Sequence, residues 1–589
     1  MKRDQVAVQY TWNLADIFSS EAEWEALLSE VKKEIDFSEF KGKLGEKEIF
    51  LSCMKKQDDV SLKLEKLYVY AMMKRDSDTA DSAADALIMR AQSVLVELNA
   101  NLSFLLPELT HLEESVLIAY RDDPDFADYD YFLTTVIKSK KHVLSPAEEN
   151  LLAMGGEVYS QFQNAFMKLN NADIRFPVIK NREGEKIQLT HGVYSVVMNG
   201  TDRALRKKAF EGMYGAYASL LNTITAIYAG NVRKNVFIAR ARKYDSCLDM
   251  ALSNEDVDPV VYQNLIKAVH KTLPAMHRYI AAKKRALGLS RMYMYDMYVP
   301  VVENVDLKLE YEDAFRLVKE GLQPLGDDYV ALLQRAFDER WIDVMETDNK
   351  RSGAYSTAVY DVHPYVLLNY QKTTHDVFTI AHELGHSLHS YFSNHAQHYA
   401  KADYKIFVAE VASTVNEVLL LKHILGKAED KKLKKYLLSY FLEMIRTTLF
   451  RQTQFAEFEF IAHTMAENGE PLTKEKLSSE YLELNKKYYG KSVVSNEEIS
   501  YEWARIPHFY NAFYVYKYAT GIISAMAIVD RILKEGAPAV KDYFAFLSSG
   551  SSDNPVNLLK IAGVDLTKTA AFDNAMNVFK DTLAEFEAI

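Results

Sequence analysis

A short segment near position 384 has the residue types and the spacing needed to hold a metal ion and activate water. It reads His382-Glu383-Leu384-Gly385-His386. On a helix, residues four apart lie on one face, so the two imidazoles point to one place and Glu383 lies beside them. Neutral imidazole suits zinc, and the glutamate is placed to take a proton from an attacking water. Because the motif fixes three positions only, its surroundings must support the interpretation.

A third ligand is expected on the helix that follows. Catalytic zinc takes three protein ligands and leaves one position open. Glu410, Ser413 and Glu417 share one helical stripe in an otherwise apolar segment, where carboxylates need partners. From spacing alone, Glu410 is either a ligand or an exposed glutamate, and Glu417 either accepts a hydrogen bond from a ligand imidazole or forms a structural ion pair. His389 is interpreted as a packing or supporting residue, because three histidines on one helix would crowd the ion.

A helix and a small sheet are predicted to position this chemistry. Thr373 and Asp376 form a helix start signal just before the motif. Upstream, 353–360 and 365–370 are short runs rich in β-branched and aromatic residues, and they predict two strands. The histidines at 395 and 398 are assigned to a loop after the motif helix.

The first of these strands is predicted to bind substrate. As a sheet edge, Gly353, Ala354 and Tyr355 could pair with a peptide backbone as an added strand, which predicts broad specificity. The alternative is that Gly353 is a simple bulge.

Elsewhere the pattern is helical, since 589 residues include only 13 prolines and 22 glycines. One hairpin is predicted, with strands at 173–180 and 185–190. Helices are predicted at 24–31, 58–75, 81–106, 145–169, 202–242, 257–288, 308–323 and 326–340.

Charge and composition exclude several partners. The net charge of −12 and the pI near 5.8 argue against nucleic-acid binding, because no basic stripe is available to contact phosphates. No run of about 18 uncharged apolar residues predicts a membrane span. The first residues do not resemble a signal peptide, and two cysteines, Cys53 and Cys247, suggest buried thiols in a reducing compartment. A cytoplasmic location is therefore expected.

The sequence resembles the oligoendopeptidase F group of the thimet-oligopeptidase-like zinc metallopeptidases. The match extends over nearly the whole chain. It rests on 382–386, 407–413 and 507–521, and further on 12–18, 239–244, 295–300, 341–343 and 350–355.

The resemblance implies a mainly α, two-lobed body with a deep internal substrate channel, a small β-sheet beside the zinc site, and a preference for short unstructured oligopeptides. It makes His382, His386 and Glu410 the ligands of one zinc ion and Glu383 the general base. An N-terminal helical region at 1–110, an oligopeptidase subdomain with the hairpin at 111–195 and a catalytic domain at 196–589 are expected.

Relatives of this group use a histidine and tyrosines after the metal site to donate hydrogen bonds to the substrate and to the oxyanion. His508 matches the histidine. Tyr516 is the first choice for the oxyanion donor, Tyr510 the second, and Tyr514 a substitute, because the spacing after His508 is shorter than usual. The alternative is that these tyrosines form an aromatic core stripe.

Two other functions remain open from the sequence. A carboxy-terminal dipeptidase would need a cation near the zinc to bind the terminal carboxylate, and no residue is assignable to it. A peptide-binding scaffold would have no need for the base Glu383.

Overall fold

Most of the chain is helical, as the scarcity of proline and glycine predicts. The computed structural model describes residues 1–302, 305 and 307–589. The chain divides into two compact units. Unit 1 comprises Met1–Val143, Asp306–Gly426 and Ser524–Asp565, and unit 2 comprises Leu144–Val305, Lys427–Ile523 and Leu566–Ile589. The expected mainly α fold is confirmed, whereas the division at 110 and 195 stays a prediction.

The helices fall into two runs along the chain. The first run is α1 (Glu21–Glu34), α2 (Lys47–Ser77), α3 (Ser82–Asn101), α4 (Leu105–His111), α5 (Glu114–Arg121), α6 (Asp130–Ser139), α7 (Pro146–Met154), α8 (Gly156–Lys168), α9 (His191–Asn199), α10 (Arg203–Ser219), α11 (Leu221–Ala241), α12 (Cys247–Ser253) and α13 (Pro259–Ala286). The second run is α14 (Tyr311–Leu322), α15 (Asp327–Asp338), α16 (Thr374–Ala396), α17 (Tyr399–Ala402), α18 (Ile406–Lys427), α19 (Lys431–Ile445), α20 (Arg451–Glu467), α21 (Lys474–Tyr489), α22 (Tyr516–Glu535), α23 (Ala537–Leu547), α24 (Pro555–Ile561) and α25 (Thr569–Ala588). No described helix is both long and apolar enough to cross a bilayer.

The strands of the described residues form three small sheets. They are β1 (Val178–Lys180), β2 (Lys186–Gln188), β3 (Met292–Tyr293), β4 (Ile342–Met345), β5 (Tyr355–Thr357), β6 (Tyr365–Tyr370) and β7 (Val493–Val494). The predicted hairpin is confirmed as the antiparallel pair of β1 and β2, with shorter strands. In the largest sheet the order is β4-β6-β5, with β4 parallel and β5 antiparallel to β6.

The central strand β6 is covered on both faces, which fixes the sheet in unit 1. Tyr365 and Leu367 pack with Trp12 and neighbouring residues of α2 in one apolar cluster, while α16 packs against β5 and β6. A strand buried on both faces is read as a continuous apolar run, and 365–370 has this pattern. The motif helix α16 therefore begins beside a sheet whose central strand is buried on both faces, as expected.

Three predicted helices are each interrupted, and the one predicted at 81–106 is α3 followed by the start of α4. The predicted helix at 202–242 is two helices, because the chain leaves helical geometry at Leu220 (φ −108°, ψ 6°). The predicted helix at 145–169 is α7 and α8, and the ring of Tyr159 lies over Gly155 at the break. The break at Leu220 carries neither glycine nor proline, so the periodicity alone does not reveal it, whereas the break between α7 and α8 falls at Gly155 and Gly156, a pair that marks a break in the sequence. The assignment of His395 to a loop is also wrong, since α16 continues to Ala396.

Candidate metal centre

The side chains of His382, His386 and Glu410 in unit 1 lie close together. His382 Nε2 and His386 Nε2 lie 3.2 Å apart, and Glu410 Oε2 lies 3.4 Å from the first and 3.6 Å from the second. Within the described part of the chain, these residues form the group of His, Cys, Asp and Glu side chains close enough to share one ion.

The spacing of these three atoms fits a zinc ion. Zinc binds imidazole nitrogen and carboxylate oxygen at about 2.0–2.2 Å, so a tetrahedral ion sets its ligands roughly 3.3–3.5 Å apart. The three observed separations lie around this value. Two nitrogens and one oxygen are also the ligand set of a catalytic site that keeps a fourth position open.

The convergence depends on a close approach of α16 and α18. A Cβ atom at Gly385 would lie 2.5 Å from Ser413 Cα and 2.7 Å from the Ala412 carbonyl oxygen, so only glycine permits this backbone contact. Asn416, which is fully buried, donates a hydrogen bond to the Ala381 carbonyl oxygen at 3.0 Å. These contacts fix the register in which Glu410 meets the two histidines.

The histidines also have partners that orient their rings. His382 Nδ1 lies 3.1 Å from Glu417 Oε1, so the Nδ1 proton is directed to Glu417 and Nε2 is left for the metal. The ring of His386 is hydrogen-bonded to the backbone of Ala409. Glu417 is therefore located where an acceptor for a ligand imidazole would be.

Nearby carboxylates and burial shift the pKa values of the two histidines, His382 and His386, in opposite directions. Burial disfavours charge on His382, but Glu417, Glu383 and Glu410 outweigh it and raise the pKa of His382 to about 9. Burial, together with the neighbouring His382, lowers the pKa of His386 to about 4. A bound metal requires both Nε2 atoms to be unprotonated, so metal binding competes with protonation of His382.

Glu383 lies between the metal ligands and the sheet edge. Its side chain is largely buried, and this burial raises its pKa to about 7. The amide of Ser356 in β5 donates a hydrogen bond to the Glu383 carboxylate, and Ser356 Oγ lies 2.9 Å from Ser387 Oγ of α16. The strand and the helix are thereby held together at the glutamate.

β5 is the edge strand of its sheet. Since the Ser356 amide bonds to Glu383, it points away from β6. If the alternation of the antiparallel pair is continued one residue beyond β5, the amide of Ala354 points the same way. Gly353 has a φ of +88° and is exposed, so it forms the turn into β5 and not a bulge within it. Proline cannot adopt this φ, so proline at 353 would disturb the turn itself.

A cavity of about 800 Å³ in unit 1 adjoins β5 and the residue before the ligand Glu410. Its volume lies in the range of sites that take small molecules or peptide side chains. Ser356 and Ala358 line one side, and Ala409, next to the ligand Glu410, lines another. Its other lining residues include Asp58, Glu65, Tyr129, Tyr399, Asp403 and Tyr404.

His389 is a packing residue, as one of the two interpretations predicted. Its side chain is 1% exposed, and its ring is parallel to the ring of Tyr404 with 3.7 Å between centroids. Burial lowers the pKa of His389 to about 3, so it is neutral.

The predicted substrate-binding residues after position 505 belong to unit 2. His508 is exposed, and the partly exposed rings of Tyr514 and Tyr518 lie beside it, each with 6.0 Å between centroids. The Tyr518 hydroxyl and His508 Nε2 are 3.5 Å apart. These three side chains form one accessible group, which we call the histidine–tyrosine cluster.

Tyr510 and Tyr516 do not belong to that cluster. Tyr510 is 6% exposed and stacks on Phe166 with 4.3 Å between centroids, and Tyr516 is fully buried against Tyr262 at 5.1 Å. Burial raises the pKa of both phenols. Their surroundings match the aromatic-core alternative. Their assignment as oxyanion donors stays a prediction, and the burial of these two side chains does not support it.

Sequence reasoning missed Tyr518, Ser356 and Asn416. Tyr518 lies four residues after Tyr514, a spacing that would have placed both on one face at the start of a helix. Nothing in the sequence marks Ser356 or Asn416, because their roles depend on neighbours distant in the chain.

The chain matches two known family models. Residues 196–578 match the family model "Peptidase family M3", and residues 108–176 match "Oligopeptidase F". The first match covers more than half of the chain. The chain therefore belongs to peptidase family M3, and it is a metalloendopeptidase of that family.

Individual relatives are similar along the whole chain. Oligopeptidase PepF of Bacillus subtilis is 42% identical over 100% of this chain and 88% of its own length. Group B oligopeptidase PepB of Streptococcus agalactiae is 40% identical over 99% of this chain and 98% of its own length. The crystal structure of oligoendopeptidase-F from Enterococcus faecium is 35% identical, covers 96% of this chain and 98% of its own, and has a TM-score of 0.73.

Proposed function

We propose that this protein is a zinc-dependent endopeptidase that hydrolyses short, unstructured oligopeptides. The observation that carries the proposal is the separation of His382 Nε2, His386 Nε2 and Glu410 Oε2, which fits one tetrahedral zinc ion with a free position. When bound, zinc supplies a Lewis acid that activates a water molecule and polarises the peptide carbonyl.

In this proposal Glu383 is the general base. It takes a proton from the attacking water and then donates that proton to the nitrogen of the leaving amine. A pKa near 7 suits both steps, because the group must accept and release a proton at neutral pH. The hydrogen bond from the Ser356 amide holds the carboxylate at the edge of β5, where the peptide would lie.

The peptide backbone is proposed to pair with the free edge of β5. The amide of Ala354 and the carbonyl group of Ser356 are available for such pairing, which requires an extended peptide. Side chains of the peptide would enter the neighbouring cavity, whose walls combine tyrosines and carboxyl groups. Recognition through the backbone would give broad sequence specificity, while a folded protein could not present an extended segment.

Hydrogen bonds to the substrate and the oxyanion are proposed to come from the histidine–tyrosine cluster. The resemblance to oligoendopeptidase F supports His508 in this role. Among the tyrosines we propose Tyr514 and Tyr518 ahead of Tyr516 and Tyr510, because a donor must be accessible to substrate.

Replacing Glu383 by glutamine tests the proposal. The glutamine keeps the size of the side chain and cannot act as a base, so we expect kcat for an internally quenched oligopeptide to fall by about 1,000-fold or more. Zinc content and peptide affinity, measured by atomic absorption and by fluorescence anisotropy, should remain. Hydrolysis at the unmodified rate, or activity that survives chelation and removal of the metal, would refute the proposal.

A further inference from the structure

Glu459 is a buried acid that the proposed chemistry does not use. It lies in α20 of unit 2 and is fully buried. Its Oε1 atom accepts a hydrogen bond of 2.7 Å from the backbone amide of Phe513. Among the described residues, the carboxyl group makes no other hydrogen bond and no ion pair.

Two other buried carboxylates of unit 2 are each paired with an arginine. Asp296 lies 3.0 Å from a guanidinium nitrogen of Arg206, and Glu502 lies 2.6 Å from one of Arg451. Glu459 has no cation, and burial raises its pKa well above the ordinary value, so it is a neutral carboxylic acid. A buried acid without a cation gains no stability from an ion pair. Charge pairing therefore does not explain why Glu459 is buried beside the Phe513 amide.

The amide that Glu459 binds belongs to a residue in an unfavourable backbone conformation. Phe513 has a φ of +56°, in the left-handed region that residues with a Cβ rarely adopt. Two further contacts hold it there: its buried ring packs on His463 at 4.7 Å and on Tyr262 at 5.9 Å between centroids. Such strain persists where the surrounding structure fixes it, and it is concentrated at functional sites.

The turn at Phe513 determines where the neighbouring side chains point. The chain leaves the short 3-10 helix Pro507–Tyr510, reverses at Phe513 and enters α22 at Tyr516. This reversal brings the Tyr514 and Tyr518 rings, 5.5 Å apart, to His508. With Phe513 in an ordinary right-handed or extended conformation, Tyr514 could not keep this position.

Hydrogen bonds of His463 fix α20 around Glu459. His463 Nδ1 donates to the Glu459 carbonyl oxygen at 2.8 Å, and Asn235 Nδ2 lies 3.1 Å from His463 Nε2. Burial lowers the pKa of His463 to about 4, which fits a neutral ring that donates at Nδ1 and accepts at Nε2. Glu459 therefore presents its carboxyl group to Phe513 from a rigid helix.

We infer that Glu459 is a positioning residue for catalysis: its bond to the Phe513 amide holds the left-handed turn that assembles the histidine–tyrosine cluster. The inference rests on the proposed function, in which that cluster binds substrate and the oxyanion. It requires an acceptor at this position and does not require a negative charge.

The test compares Glu459→Met with Glu459→Gln in the full-length, zinc-loaded enzyme. Methionine fills the space without an acceptor, whereas the glutamine carbonyl can still accept the amide hydrogen. We expect Glu459→Met to lower kcat at least tenfold with KM within about threefold, because small displacements of catalytic groups reduce the rate steeply. Glu459→Gln should keep kcat within about threefold of the original enzyme. Zinc content should stay at one per chain in both.

A measurement of thermal stability and a matched control variant distinguish the positioning role of Glu459 from a purely structural one. Methionine leaves the buried Phe513 amide without an acceptor, which lowers the stability of the fold. The kinetics are therefore measured well below the thermal midpoint of each variant, where the protein stays folded and a loss of kcat does not come from unfolding. Phe460→Leu alters the next residue of α20, whose side chain is 38% exposed, and should leave kcat unchanged. If Glu459→Met does not fold, Glu459→Leu makes the same comparison.

Two results would overturn the inference: a kcat for Glu459→Met equal to that of the original enzyme, or an equal loss in Glu459→Gln. Failure of the proposed function is seen separately, in the Glu383→Gln variant. If that variant is inactive and Glu459→Met is fully active, only the role of Glu459 is wrong.

Discussion

The metal centre and the histidine–tyrosine cluster are built in different ways. The metal ligands lie on α16 and α18, two regular helices whose backbones touch at Gly385. The histidine–tyrosine cluster comes from a 3-10 helix, a left-handed residue and the first turn of α22. In the first region helical spacing pairs the two histidines and a helix–helix contact adds Glu410, whereas in the second a single backbone turn brings the side chains together.

This difference explains which assignments the sequence supports. Residues four apart on a helix share a face whatever surrounds them, so His382 and His386 can be paired without a structure. Across an irregular turn the direction of each side chain depends on φ and ψ, and spacing no longer predicts it. The two regions should therefore respond differently to substitution.

Among the substitutions that compare the two regions, the largest effect is expected at the tyrosines. Tyr514→Phe and Tyr518→Phe each remove one accessible phenol, and we expect the variant that lacks the oxyanion donor to lose about 100-fold in kcat. Tyr510→Phe and Tyr516→Phe should keep kcat within about threefold, because these hydroxyl groups are buried. Steady-state kinetics of the four variants checks this. A large loss in Tyr516→Phe, with Tyr514→Phe and Tyr518→Phe fully active, would restore the choice made from the sequence.

A smaller effect is expected from the contact between the two helices. Gly385→Ala adds a methyl group that would overlap backbone atoms of α18. The helices α16 and α18 must therefore separate, and Glu410 must move away from the histidines. We expect zinc affinity to fall at least tenfold, measured by competition with a chromogenic chelator, and stability to fall by about 1–3 kcal/mol. Gly426→Ala in α18 is the control, since its Cβ would meet no atom within 4 Å. Equal zinc affinity in both variants would contradict the role of Gly385.

The smallest effect is expected at the sheet edge. Ala354→Pro removes the backbone donor of the residue just before β5, and a single hydrogen bond contributes about 1 kcal/mol, or roughly fivefold in KM for oligopeptides. The value of kcat should be preserved, because Glu383 and the ligands are untouched. An unchanged KM over a series of peptides would argue against pairing of the substrate with β5.

The sequence predicts most helices, the hairpin, two strands of the sheet and the pairing of His382 with His386, because each depends on local periodicity or on a short motif. Spacing alone left Glu410 open, and the resemblance to a known family made it the third ligand. The sequence does not predict the interruption at Leu220, where no glycine or proline marks the end of a helix. It also does not predict the strand β4, which pairs with β6 from another part of the chain. The burial of Tyr510 and Tyr516 depends on Phe166 and Tyr262, more than 200 residues away, and lay beyond local patterns.

Anomalous diffraction at the zinc absorption edge tests the central claim most directly. Crystals of the zinc-loaded protein should show one anomalous peak about 2.0–2.2 Å from His382 Nε2, His386 Nε2 and Glu410 Oε2. A peak at other residues, or a peak near the two histidines with Glu410 outside bonding distance, would contradict the account.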